Sequence, residues 1–350
     1  MAPDGKRSID SIDLVKFIAS VMLFILHFYA LADFGELYGF VSAMTRWAVP
    51  FFFISSSYFL FTKLESCGTD AEKRAAVCRF SRRLFRLYLA WGLFNLPYIL
   101  YDMSTRLAPS VEGSLLRKLV LLVKDYLLTG CYFGSWYIVS AIVSVWIVFF
   151  LSRVLSDAAL LLVCFPVQLL CIASSSYRGL VPYQMQFWLI DLLRFPYTFV
   201  SGVFFISVGR VFARSGGKGA AGRPAPLVKL GLFAAAILLY LGELRFLQKS
   251  RLPYSLDNTL GQIPLAALLF YLCLHTDLKL RHALLLRKLS IIVYFCQGSL
   301  QVLRWAIIEA RPAESKLLLF VICALCCLLI CLAVLSAQKR RRYRLADVLT

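Results

Sequence analysis

Stretches of about 20 mostly apolar residues recur along this chain, separated by short charged or glycine- and proline-containing segments. Nothing else in the sequence constrains its fold as strongly. Coiled as a helix, such a stretch rises ~1.5 Å per residue and reaches across a hydrocarbon layer about 30 Å thick. A helix also pairs its backbone polar groups internally, as any segment must where water cannot reach. The stretches fall at 12–32, 40–62, 85–103, 134–152, 158–176, 190–212, 227–247, 259–276, 288–308 and 316–337. Of the 350 residues, 60% are hydrophobic and 16% charged, so no polar run is left that could form a soluble domain. The expected fold is all-α, a polytopic membrane helix bundle of about ten transmembrane helices, forming a single domain over residues 1–350. The segment 115–130 differs: Leu115, Leu116, Leu119, Val120, Leu122 and Val123 alternate with Arg117, Lys118, Lys124 and Asp125, the pattern of an amphipathic helix lying in the interface. The first apolar run begins near Ile12 and has no small-residue cleavage site, so a permanent helix is expected there rather than a signal peptide.

Charge sets the orientation. The net charge is +19. Lys6 and Arg7 precede the first span, and Lys73, Arg74, Arg79, Arg82 and Arg83 follow the second. Arg214, Lys218 and Arg223 follow the sixth, and Lys279, Arg281, Arg287 and Lys288 the eighth. Lys339, Arg340, Arg341, Arg342 and Arg344 follow the last. With ten spans these clusters all fall on one side, which the positive-inside rule makes the cytoplasm. The opposite loops hold Asp33, Glu36, Glu112, Glu243, Asp257 and Glu314. Both termini are therefore expected in the cytoplasm, with the plasma (inner) membrane as the location. The bases have membrane lipid headgroups as partners, not nucleic acid.

Two patterns carry no chemistry. Among the eleven cysteines, Cys164, Cys171, Cys273, Cys296, Cys323, Cys326, Cys327 and Cys331 sit inside apolar runs and serve as small packing residues. Cys323 and Cys326 have metal-ligand spacing but no second pair and no nearby histidine, so no metal is expected. The glycine-rich stretch 215–222 lacks the Gly-Lys-Ser/Thr ending and the strand of a phosphate-binding loop, and is expected to be a flexible linker.

Ionisable residues inside spans are costly, and each is a functional candidate. Lys16 and His27 share the first span and are eleven residues apart, close to three full turns, so they lie on one helix face separated by roughly 16 Å. Lys16 falls near the cytoplasmic interface and His27 deep, towards the outer side, with Asp13 one turn before Lys16. Histidine is the side chain suited to proton transfer near neutral pH. It can also serve only to bond two helices, as an interfacial lysine can simply snorkel. Arg79, Arg83 and Arg86 recur at helical spacing at the mouth of the third span. They suit either topogenic charge or the bidentate binding of phosphates.

In order along the chain, these residues resemble the bacterial acyltransferase-3 family of membrane O-acyltransferases. That family opens with an aspartate and then a basic residue ahead of a histidine in the first span, matched by Asp13, Lys16 and His27. A Pro-x-Phe-Phe-x-x-Ser-Gly-Tyr stretch in span two is matched by Pro50, Phe52, Phe53, Ser56 and Tyr58, with Ser57 where glycine is usual. An Arg-x-x-Arg before span three is matched by Arg83 and Arg86, and a Trp-Tyr pair opening span four by Trp136 and Tyr137. Lys16 stands where arginine is more usual, and Gln297, after Tyr294, where many members carry histidine. The resemblance covers nearly the whole chain.

It implies transfer of an acyl group, usually acetyl, from cytosolic acyl-CoA to a hydroxyl of a cell-surface or lipid-linked carbohydrate, with no bound cofactor. His27 would be the base and Lys16 would stabilise the donor. Arg79, Arg83 and Arg86 would hold the coenzyme A phosphates, while Asp13, Ser56, Tyr58, Trp136 and Gln297 would line the passage or the acceptor site. A homo-oligomer is compatible with this reading. The rivals are a transporter or flippase without covalent chemistry, and a serine-uptake-like membrane module, since related membrane regions occur fused to racemases. No racemase or extracellular esterase-like domain is expected after the last span, so transfer would finish within the membrane part.

Overall fold

The computed structural model describes residues 9–30, 32–215, 226–250, 252–253, 255–311 and 315–339. Lys6, Arg7, Lys218, Arg223, Glu314, Arg340, Arg341, Arg342, Arg344 and most of the glycine-rich stretch lie outside the described residues, as does the side chain of Glu36. The described chain is helical, with no strand among these residues. In order the helices are α1 (Asp10–His27), α2 (Gly35–Met44), α3 (Ala48–Glu65), α4 (Asp70–Phe94), α5 (Leu96–Leu107), α6 (Leu115–Thr129), α7 (Trp136–Leu151) and α8 (Asp157–Ser175). The short α9 (Tyr183–Gln186) follows, then α10 (Phe199–Ser215), α11 (Pro226–Lys249), α12 (Gln262–Leu274), α13 (Ala283–Phe295), α14 (Gln297–Ala310) and α15 (Lys316–Lys339).

Every apolar stretch carries helix, interrupted before α10 in 190–212 and between α2 and α3 in 40–62, and 115–130 is the separate amphipathic helix α6. Four segments are long and apolar enough to cross a bilayer unaided: Leu37–Glu65, α8, Leu227–Lys249 and α15. Counting each of two bent pairs as one span brings the number to six. Two further helices, α7 and α12, are apolar but shorter. Leu162, Leu238, Leu239 and Leu329 stand largely exposed on the outside of the bundle, as on a surface wetted by lipid rather than water.

Local chemistry explains the ends and breaks. Thr69 and Glu72 form a capping box that starts α4, which therefore begins well before the apolar run at 85 and presents its arginines on an extension. Ser114 and Ser156 cap α6 and α8 by accepting from the Arg117 and Ala159 N–H groups. The α4–α5 break falls at Asn95, ahead of Pro97 in the first turn of α5. The α13–α14 break bends the chain by 46°. The two breaks are bonded to each other: buried Asn95 donates to the Trp91 and Phe295 carbonyls (2.8 and 2.9 Å) and accepts from the Ser299 N–H (2.8 Å). Only glycine fits at 298, where a β-carbon would lie 2.5 Å from Asn95 Oδ1.

At the centre α10 packs on α3, α7 and α8, and α1 packs along α13. Small residues let these backbones approach. A β-carbon at Gly209 would come within 2.4 Å of the Ile54 carbonyl oxygen, and Gly202 faces Ser140 and Ser144. Ser57, opposite Gly209, donates to the Ile206 carbonyl at 2.5 Å.

Candidate active site

α1 carries the candidate residues of the sequence to two different places. Its C-terminal turn delivers His27 to a cavity of about 410 Å³, and the left-handed backbone of Tyr29 (φ 56°) then turns the chain off the helix. The ring is held on several sides. Nδ1 lies 2.7 Å from Gln297 Oε1, Phe133 meets the ring edge-on with centroids 4.8 Å apart, and Gln301 Nε2 donates to the His27 carbonyl at 2.8 Å. Gln297, the first residue of α14, owes its place to the bend after α13.

Trp136, at the start of α7, lines the same cavity, packed against Phe53 and Tyr197. Beside them the wall is ionic. Arg46, between α2 and α3, pairs with Asp257, which also accepts from Tyr197 Oη at 2.7 Å. Gln262 holds this corner by donating to the Arg46 and Asp257 carbonyls. Across the cavity Asp125 of α6 binds Arg106 of α5 (2.8 Å), Arg194 (3.0 Å) and Lys124 (3.1 Å). Asp102 binds Arg106 and Tyr126, both at 3.0 Å. Burial opposes the charge on Asp125, but Lys124, Arg194 and Arg106 outweigh it and hold the carboxyl below the usual carboxylate range.

Lys16 is not among the residues described as lining this cavity. It belongs to a cluster at the other end of α1. Its ammonium lies within electrostatic reach of Asp13, Arg287 and Arg83 and 5.7 Å from the centre of the Phe59 ring. Asp13 is buried and receives a bidentate fork from Arg287, at 2.9 and 2.7 Å. Arg79, Arg83 and Arg86 all lie on the exposed side of α4, and of these three Arg83 is the one within electrostatic reach of Lys16. Ser56 shares a hydrogen bond with Tyr137 Oη (2.9 Å), and Tyr137 lies between the two regions: Arg83 is within its electrostatic reach, and its ring meets Tyr294 of the cavity wall at 6.0 Å. Tyr58 packs into the core against Phe59 and Phe270.

The structure thus brings His27, Gln297 and Trp136 together in one cavity, and Lys16, Asp13 and Arg83 together in another place. Sequence reasoning missed the ionic wall and gave Arg287 only a topogenic role. The one local signal was Asp102 and Arg106, four apart on a helix. The other partners are distant in sequence and nothing there joins them. Among the described residues no group of three His, Cys, Asp or Glu could hold a metal ion.

A helical bundle with exposed apolar helix faces and a histidine in a cavity lined by both aromatic and charged side chains defines the class as a helical membrane protein. The chain belongs to the acyltransferase-3 family, whose profile, described as an acyltransferase domain, matches residues 9–336. Two curated relatives, both named amino-acid racemase and both from Enterococcus faecalis, are 25% identical over 215 and 213 residues, 58% of this chain in each case. The match spans only 27% and 28% of their length. No solved structure matches the chain.

Proposed function

We propose that this chain moves an acyl group, acetyl foremost, from cytosolic acyl-CoA to a hydroxyl of a cell-surface or lipid-linked carbohydrate. It does so as one domain with ten spans and both termini in the cytoplasm of a plasma-membrane protein. One observation carries this: His27 occupies a cavity whose walls combine aromatic faces, Trp136 and Tyr197, with paired charges, Arg46 with Asp257 and Arg106 with Asp125. Flat rings and interleaved donors and acceptors suit a polyhydroxylated ring. At the opposite end of α1, Lys16, Arg83 and Arg287 offer positive charge to the donor's phosphates, with Arg79 about a turn before Arg83 and Arg86 about a turn after it on α4.

The chemistry balances without a cofactor. His27 takes the proton of the acceptor hydroxyl, and the oxygen attacks the thioester carbonyl. The carbon–sulfur bond breaks, and the coenzyme A thiolate leaves with the proton that His27 had taken. Lys16 supports the donor from the cytoplasmic side. Asp13 holds Arg287 in place, and Ser56 with Tyr137 borders the passage that leads to Tyr294 and the cavity. Tyr58 supports that passage through packing.

The partial likeness to the racemases favours one alternative, a membrane module that handles an amino acid without acyl transfer. The test is acyl transfer from radiolabelled acetyl-CoA into membrane glycan, at matched expression, for His27→Ala and His27→Gln. Both variants lose transfer by about 10²–10⁴ if His27 is the base. Glutamine keeps a donor and an acceptor but takes no proton. Near-wild-type transfer by His27→Gln makes His27 structural, and absence of transfer by the wild type turns the reading to the alternative.

A further inference from the structure

We propose that Gln297 is the positioning residue for His27: it keeps the imidazole proton on Nδ1 and leaves Nε2 as the lone-pair nitrogen for the acceptor hydroxyl. The proposal rests on the acyl-transfer reading above. A neutral imidazole carries one N–H, and the hydrogen bond made by one nitrogen decides the role of the other. The buried Gln297 amide has its own orientation fixed. Its Nε2 donates to the Val293 carbonyl at 3.0 Å, a place that an amide oxygen cannot take because a carbonyl offers no proton. Oε1 is thereby turned to His27, 2.7 Å from Nδ1. An amide oxygen only accepts, so Nδ1 is the donor.

The bend makes this arrangement available. Val293 lies in the last turn of α13, where carbonyls lose their regular helical partners and side chains take over. Gln297 then starts α14 on a new axis, 46° away, with its side chain beside the end of α1. Asn95 and Gly298 hold the bend from the other side, and Gln301, one turn on, fixes the His27 backbone. The ring is therefore oriented by Gln297 and by the edge contact with Phe133, on a backbone that Gln301 of the same helix holds.

In the reaction, the acceptor O–H bond breaks and its proton joins Nε2, while Nδ1–H stays on Gln297. When the carbon–sulfur bond breaks, the proton on Nε2 passes to the thiolate. A neutral amide orients the ring without adding the charge that a carboxylate partner would add. The imidazolium is correspondingly ready to give its proton back.

Two measurements test this. Solid-state NMR of the ¹⁵N-histidine-labelled chain in lipid bilayers, with the His27 signals identified by their loss in His27→Gln, is expected to show a protonated Nδ1 and a bare Nε2. The reverse tautomer overturns the proposal whatever becomes of acyl transfer. Nδ1 protonation in a protein without acyl transfer would refute the functional reading and leave the tautomer assignment standing. In the kinetic arm, Gln297→Leu lowers kcat about 10- to 100-fold with the KM for acetyl-CoA unchanged. Gln297→Glu restores much of the rate but moves the acid limb of the pH–rate profile to higher pH, because a carboxylate stabilises the imidazolium. An unmoved limb in Gln297→Glu, with the leucine variant near wild-type rate, reduces Gln297 to packing and overturns the proposal.

Discussion

Replacing Arg287 by alanine strands one of the most deeply buried charges in the bundle. Asp13 is 1% exposed, and both of its oxygens are held by the Arg287 fork at 2.9 and 2.7 Å. Breaking a buried pair from one side typically costs about 3–5 kcal/mol, because the remaining charge has lost both water and partner. Two features pull the figure to the lower end. The Arg287 side chain is 29% exposed, so water reaches part of the pair, and Lys16 stays within electrostatic reach of Asp13. Arg287→Ala is therefore expected to cost about 3 kcal/mol, roughly a hundredfold in the ratio of folded to unfolded protein. Adding Asp13→Ala removes the stranded carboxylate, and the double variant recovers most of that loss. The assay is reversible unfolding of the purified protein in detergent micelles by dodecyl sulfate, followed by tryptophan fluorescence, for the wild type, both single variants and the double. Equal stability of Arg287→Ala and the double variant would refute the coupling. A wild-type value for Arg287→Ala would show that the fork contributes nothing.

Three further outcomes follow from the geometry. Arg83→Ala weakens acyl-CoA binding by about ten- to a hundredfold, the worth of one charge-assisted phosphate contact, and Arg86→Ala less, since Arg83 alone of the two reaches the Lys16 cluster; equal loss in titrations with acyl-CoA would place the donor along α4 instead. Because the Asp125 carboxyl is held low in the folded protein, its contribution to stability is complete above the free carboxyl value of about 4 and is lost as pH falls through the lowered folded value. Thermal midpoints accordingly hold from pH 5 to 8 and drop in stronger acid, and Asp125→Asn flattens part of that drop. Reporter fusions after residue 223 and at the C-terminus are expected in the cytoplasm, and insertions at 33–38 and 250–256 outside; a cytoplasmic signal from 250–256 removes the ten-span layout.

The helices were legible because long apolar stretches in a lipid-facing chain have few alternatives. His27 was legible because an ionisable group inside such a stretch is conspicuous, and its position in α1 follows from periodicity alone. The break before Gln297 was hidden. No proline marks it, and the residue bonded across it, to Phe295 and Ser299, is Asn95, some two hundred residues away. The cavity wall was hidden for a related reason. Arg46, Asp257, Asp125 and Arg194 each stand near a helix end, where charge ordinarily means topology, and only the folded bundle pairs them. Lys16 shows the limit of helical-wheel reasoning: it shares a face with His27, yet three turns of separation give it different neighbours.

His27 and the wall it faces hang from separate parts of the chain. His27 is anchored by Gln297 at its ring and Gln301 at its backbone, both of α14, whereas the ion pairs come from the α2–α3 junction, α5, α6, the turn before α10 and the loop before α12. On the proposed reading, a substitution in the wall alters which ligand is admitted while the contacts of Gln297 and Gln301 to His27 stay in place. If that reading holds, preference for an acceptor can drift within a lineage through single replacements at the periphery while the histidine keeps its supports, so descendants need not pass through an inactive ancestor to acquire new substrates.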